Sequence, residues 1–310
     1  MSLKDADWDE LLYSIDDQTC TPFIGAGACG FPNPNKDNEP WLPSGGTVSK
    51  KLSEQYEYPL DDSDELDRVS QYVAIQNGDM VPKMFIARLL KGISPPDFSK
   101  EDYKNIPHAV LADLKLPLYI TTNYDEFMES ALKSRGRIAD SESCKWNAFL
   151  KKQSTPSVCD KADYKPSQDK PLVYHLHGDF NNPRSMVLTE TDYLDFLINL
   201  SKEEILPDQI STALNSTSLL FVGYRLRDIN FRFIFRSLMQ LLGEGIGAGL
   251  QLPSISVQLP SGFTEERKEQ GIRYLDEYSK NMFKVRVYWG NANEFSKELR
   301  DRWDKFKNVK

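Results

Sequence analysis

Apolar residues recur at helical spacing at Trp8, Leu11, Leu12 and Ile15, and the period then changes to a short apolar run, Thr21–Ile24. The first pattern predicts an amphipathic helix, the second a buried strand. That strand runs straight into Gly25-Ala26-Gly27-Ala28-Cys29-Gly30, which predicts a tight turn at its carboxyl end. Phe31–Gly46, rich in proline and asparagine, then predicts a long loop beside the turn. Helical spacing returns in Thr47–Tyr56, Leu66–Gln76, Val81–Lys91 and Asn105–Leu114 with no strand-like run between them. Leu116–Thr122 restores a strand pattern, and Asp125–Lys133 returns to helix with Phe127, Ala131 and Leu132 facing inward. The polar stretch 134–170 reads as a partly ordered excursion over the sheet.

Leu172–Leu176 predicts another buried strand. Thr189, with Asp192 three residues on, is placed to cap a helix whose stripe is Tyr193, Phe196 and Leu197. Ile205–Leu214 is a further helix, and the unbroken apolar run Ser218–Val222 suits a strand covered on both faces of a parallel sheet. Asp228 opens a helix reaching Leu241, followed by a loop over Gly243–Gly249. Ile255–Leu259 and Phe283–Tyr288 are expected strands on either side of the charged helix Thr264–Lys280, and Ala292–Phe306 forms a closing helix. Strands alternating with helices predict an α/β fold built on a doubly wound parallel sheet, with the helices before residue 115 as an insertion.

Composition narrows the function classes. The 310 residues are 40% hydrophobic and 27% charged with a net charge of −8, as expected of a globular chain. An acidic balance argues against strong direct nucleic-acid binding, because the phosphate backbone rewards a basic surface. No apolar run is long enough to cross a membrane, and the acidic start is unlike a signal peptide, so no membrane association and a cytoplasmic location are expected. The cysteines at 20, 29, 144 and 159 show no C-x-x-C pair, so neither a zinc ribbon nor a disulfide framework is expected. Histidine chemistry has three candidates: His108, His175 and His177.

Four strand ends carry polar residues, and in an open α/β sheet such ends converge on one ligand crevice. Gly25-Ala26-Gly27 offers backbone donors suited to a phosphate, or a plain turn. Thr122-Asn123-Tyr124-Asp125 packs a hydroxyl, a carboxamide and a carboxylate together, of which a helix cap explains only part. In His175-Leu176-His177-Gly178-Asp179 the two histidines fall on one face of a continuing strand, His177 nearest its tip, where Gly178 leaves a ligand room. His175 suits a buried structural role better, and no partner is spaced to make the pair a metal site. Gly223-Tyr224-Arg225-Leu226-Arg227-Asp228 brings arginines that either meet a phosphate or face solvent at a helix start.

Together these stretches resemble the sirtuin-like (SIR2) superfamily, most closely the bacterial SIR2-like NAD-hydrolysing branch found in antiphage systems. The matching pieces are Gly25-Ala26-Gly27, Thr122 to Asp125, His177-Gly178-Asp179 followed by Val187-Leu188-Thr189 and Tyr193, and Gly223-Tyr224 with Asp228. The resemblance implies one SIR2-like domain over 1–310: a Rossmann-like core at about 16–30, 115–135 and 171–310, with helical or loop insertions at about 44–114 and 136–170. It implies NAD+ as substrate, Asn123 and His177 as catalytic residues, and no metal. Gly25, Ala26, Gly27, Gly223, Thr122, Tyr224 and Asp125 are then expected around the phosphates and ribose. Cleavage to nicotinamide and ADP-ribose is the expected activity; a protein deacylase, an ADP-ribosyl transferase and a non-enzymatic NAD or ADP-ribose sensor are the alternatives. Residues 180–217 contain no cysteine and the Pro-Asp-Phe-Arg stretch of deacylases is missing, which weighs against a peptide groove. With no sensor domain recognisable in the chain, control is expected from a homo-oligomer or a regulatory partner such as an ATPase or a nucleic-acid sensor.

Overall fold

The computed structural model describes residues 3–37, 39–153, 156–161, 163–202, 205–225, 232, 254–259 and 264–309. Seven strands form one sheet: β1 (Cys20–Ile24), β2 (Leu118–Thr121), β3 (Asp140–Ser143), β4 (Leu172–His175), β5 (Ser218–Val222), β6 (Ser254–Gln258) and β7 (Val285–Trp289). Their order is β3-β4-β2-β1-β5-β6-β7, and every pairing is parallel. The chain winds outward from β1 in one direction through β2 and in the other through β5. The topological switch therefore lies at β1, where an α/β sheet opens a crevice beyond its carboxyl ends.

The apolar runs explain the layering. Ile24, Leu220 and Val222 pack into a cluster with α1 (Asp5–Asp16), α5 (Pro107–Asp113), α6 (Phe127–Ser134) and the terminal helix Ala292–Val309. The alternating partners Phe23, Leu219 and Phe221 pack into a second cluster with α8 (Glu190–Lys202), α9 (Asp208–Ser216) and Phe283 of the helix Lys268–Phe283. A central strand thus buries both faces, and each fully covered Leu or Phe contributes roughly 1.5–3 kcal/mol. Pro22 is tolerated in this central strand because β1 pairs with β2 only from Phe23 onward, leaving no ladder bond for its missing N–H on that side.

Between β1 and β2 stand α2 (Gly45–Gln55), α3 (Leu66–Asn77) and α4 (Met80–Lys91), as the helical spacing predicts. Val48 and Ile86 pack with Met186 and Leu188, so these helices rest on the segment that follows β4. The same junction holds a buried ion pair, Lys83 Nζ to Asp192 at 2.9 Å. Asp192 also accepts the Leu188 and Thr189 amides, and Thr189 Oγ1 accepts the Asp192 amide, completing the expected cap of α8. Lys83→Met should leave the Asp192 carboxylate without its cation and destabilise the fold by about 3 kcal/mol in urea unfolding.

Several boundaries differ from expectation for local reasons. The stretch 134–170, read as an excursion, supplies the edge strand β3, whose sequence Asp-Ser-Glu-Ser carries no apolar alternation. The helix expected at Ile205 starts at Asp208, after Pro207. The loop 31–46 is held as a hairpin by a Pro32–Pro40 bridge and by the buried rings of Phe31 and Trp41. The helix expected over Asp228–Leu241 and the loop over Gly243–Gly249 lie outside the described residues, Arg232 apart.

Candidate active site

The turns after β1 and β5 interlock at the switch point. Gly25 N–H donates to Val222 O at 2.8 Å and Gly27 N–H to Gly223 O at 2.9 Å. These two amides, expected to face a phosphate, are committed to the neighbouring strand end. The glycines are required by the close approach itself: a Cβ on Gly223, at φ +88°, would lie 2.3 Å from the Ala28 nitrogen. Tyr224 closes the junction, its hydroxyl donating to Ile24 O at 2.8 Å while Thr122 Oγ1 lies 2.8 Å away. Thr122 and Tyr224 thus join the ends of β2 and β5, and Arg225 is exposed.

Asn123 leaves the end of β2 with its backbone amide held by Thr121 Oγ1 at 3.0 Å. Its side chain does not cap α6. Instead Nδ2 donates to Gly25 O at 3.2 Å and lies 3.4 Å from Cys29 Sγ, tying the β2 and β1 turns together. Asp125 takes the capping role, Oδ1 accepting the Phe127 amide at 2.9 Å. Burial raises its carboxyl to about 6.

The two histidines of the β4 end part company. The strand stops at His175 and the chain turns, so they do not share the face that a continuing strand would give them. His175 points toward α6: Nε2 meets Glu129 Oε1 at 2.7 Å and Nδ1 meets Asn123 O at 3.1 Å. Both contacts are to acceptors, so both ring nitrogens must carry protons and the ring is an imidazolium. Burial alone would lower its pKa, but Glu129, with Asp179 behind it, raises it to about 9. His177 turns to the other layer and stands edge-on to Tyr193 at 5.5 Å and Phe196 at 5.2 Å. Burial depresses it to about 3, so it is neutral, and Nε2 has no hydrogen-bond partner among the described residues. The space that Gly178 was expected to leave for a ligand is occupied: a Cβ there would lie 2.2 Å from Ser185 O.

The His175 assignment gives a pH signature. A pKa raised from 6.5 to about 9 is stability fully present below 6.5 and lost as pH climbs through 9. It amounts to about 3 kcal/mol. Urea unfolding of the wild type should lose that amount between about pH 6 and pH 10, and His175→Gln should lose the slope along with the stability.

Asn123, Asp125 and the glycine turns, expected at one sheet edge, lie at the carboxyl ends of β1, β2 and β5 and are joined through the Asn123 side chain, whereas His177, just past β4, packs against Tyr193 and Phe196. Sequence reasoning missed Glu129, which fixes the ionisation of His175, and it missed Cys29 and His108, which lie 3.8 Å apart beneath Asn123. His108 sits on α5, far along the chain, and no spacing links it to the turn.

A family model described as SIR2-like domain matches residues 117–278, more than half of the chain. Among curated relatives, NAD(+) hydrolase ThsA of Cytobacillus dafuensis is 27% identical over 238 residues, covering 76% of this chain and 41% of the relative. NAD(+) hydrolase ThsA of Acinetobacter baumannii (strain 532279) is 24% identical over 229 residues, covering 73% and 40%. The chain therefore spans about two-fifths of the length of these relatives. A solved Sir2 enzyme aligns over 97% of this chain and 99% of its own at 13% identity and a TM-score of 0.35. The matched span contains the Thr122–Asp125, His177–Asp179 and Gly223–Tyr224 ends, and on it the chain belongs to the SIR2-like domain family.

Proposed function

We propose that the chain is an NAD+ glycohydrolase domain, cleaving NAD+ to nicotinamide and ADP-ribose, and that it is the NAD-depleting effector of a bacterial antiphage system. The observation that carries this reading is the His177 imidazole: neutral, walled by aromatic rings just past the carboxyl end of β4, with a buried Nε2 that has no hydrogen-bond partner among the described residues. The names of the curated relatives support the same chemistry.

In NAD+ the bond from the ribose carbon to the pyridinium nitrogen breaks with its electron pair going to the ring. Nicotinamide leaves neutral and needs no general acid. The ribose becomes oxocarbenium-like, water adds, and one proton is released. His177 accepts a hydrogen bond from the ribose hydroxyl or the water and serves as general base, holding the proton only in transit to solvent because burial keeps its ring neutral. The Asn123 amide orients the water or a ribose hydroxyl. Asp125 faces the ribose, while Gly25, Ala26, Gly27, Gly223, Thr122 and Tyr224 wall the phosphates. With the Gly25 and Gly27 amides engaged elsewhere, the glycines serve by letting the diphosphate come close rather than by donating to it. One SIR2-like domain over 1–310, with insertions at about 44–114 and 136–170, the second lending the edge strand β3 to the sheet, and control by self-association or by a regulatory protein complete the reading.

The test is incubation of the purified protein with NAD+, with chromatographic separation of nicotinamide, ADP-ribose and cyclic products, with and without an acyl-lysine peptide. ADP-ribose formed without peptide supports the hydrolase, and peptide-dependent nicotinamide release refutes it in favour of a deacylase. Light scattering across the concentrations assayed shows whether turnover follows assembly. Among the described residues no helix is long and apolar enough to cross a membrane.

A further inference from the structure

Beneath Asn123 the fold gathers three metal-ligating side chains from three elements. Cys29 ends the 3-10 turn after β1, His108 stands in the first turn of α5, and Asp125 leads into α6. Cys29 is 2% exposed, His108 0% and Asp125 8%. Cys29 Sγ lies 3.8 Å from His108 Nε2 and 3.6 Å from Asp125 Oδ2, and the three donor atoms all fall within 4.8 Å of one another. We propose that Cys29, His108 and Asp125 form a binding site for a thiophilic divalent cation of the zinc class.

The spacing suits that ion. With metal–sulfur bonds of about 2.3 Å and metal–nitrogen or metal–oxygen bonds of about 2.0–2.2 Å, the edges of a tetrahedral site from sulfur to its neighbours are about 3.5–3.6 Å. The two measured edges sit within a few tenths of an ångström of that, and the third donor pair lies within 4.8 Å, so side-chain adjustments would bring the donors together. The chemistry balances as well. Binding removes the thiol proton of Cys29 to solvent and forms a metal–thiolate bond. One thiolate and one carboxylate then cancel the charge of a divalent ion in a place where an unbalanced charge would be costly. His108 completes the donor set from a ring enclosed by Phe31, Phe98 and Phe127. Water from the crevice takes the fourth position on the Asp125 side, where some surface remains open. These residues stand far apart in sequence, which is why no ligand spacing announces them.

Occupation has one corollary, which rests on the NAD+ reading above: a cation that takes Asp125 lowers turnover, and a chelator restores it. The binding itself does not depend on that reading and is tested without nucleotide. The chelator-treated protein is titrated with cobalt(II) and followed by absorption. One equivalent should bind, with a thiolate-to-cobalt charge-transfer band in the near ultraviolet and the strong visible bands of a four-coordinate ion, and zinc should bleach both. Cys29→Ser should abolish the charge-transfer band, His108→Gln should weaken cobalt binding by at least about tenfold, and Cys159→Ser should leave the spectrum unchanged. A folded wild type without the band overturns the proposal, and so does a band that persists in Cys29→Ser. If Cys29→Ser does not fold, undiminished binding by His108→Gln overturns it equally.

Discussion

His177→Ala should lower the rate of nicotinamide release from NAD+ by about 10²–10⁴-fold, the span expected when a positioned proton acceptor is lost. The argument starts from burial. At 4% exposure the ring is cut off from water, and its edge-on contacts with Tyr193 and Phe196 fix its plane without satisfying Nε2. A buried polar atom without a partner costs free energy, and here, among the described residues, it lies just past the carboxyl end of β4. Because burial holds its pKa at about 3, the ring stays neutral across the working range and needs no deprotonation before it accepts. Activity should therefore show no acid limb from His177 between about pH 5 and pH 8. His177→Gln, nearer in volume, separates the two roles: it should keep the melting temperature close to wild type while losing most of the rate. Asn123→Ala should also lose turnover, because in the proposed mechanism its amide orients the reactants, and in the fold it ties the β1 and β2 turns. Wild-type rates in both His177→Ala and Asn123→Ala would remove the assignment.

What the sequence made legible follows from which forces are local. Strands β1, β2, β4 and β5 announce themselves because central parallel strands bury both faces and read as continuous apolar runs. The edge strand β3 buries little and is specified by pairing with β4 alone, so Asp140–Ser143 reads as loop. Thr189 and Asp192 are legible because a capping box is complete within four residues. The histidine pair misleads because alternation holds only while the strand lasts, and β4 ends at His175. Which histidine is charged depends on Glu129, forty-six positions away and on another element. The glycine turns were visible, but their reason was not. Backbone-on-backbone contact between the β1 and β5 ends is long-range information, carried by the absence of a side chain at Gly25 and Gly223.

That contact also carries a large expected effect on stability. In Gly223→Ala the new Cβ would sit 2.3 Å from the Ala28 nitrogen and 2.5 Å from Gly25 O, at a φ of +88° that L-residues rarely adopt. No flexible side chain can yield, because the atoms it meets, in Ala28 and Gly25, are backbone. The two turns must separate, breaking the Gly27 N–H bond to Gly223 O and loosening the Gly25 N–H bond to Val222 O. Strained backbone and two weakened hydrogen bonds together should cost about 2–4 kcal/mol, lowering the melting temperature by roughly 4–10 °C. Gly30→Ala is the control. Gly30 has an ordinary φ of −77° and its nearest neighbour would lie at 3.4 Å, so the change should be close to neutral. The pair also separates two accounts of the close approach at the switch point. If Gly223 serves only to admit a phosphate, Gly223→Ala should melt like wild type and lose NAD+ binding. If it holds the strand ends together, melting falls even in the absence of nucleotide, and binding is lost because the crevice has lost its floor.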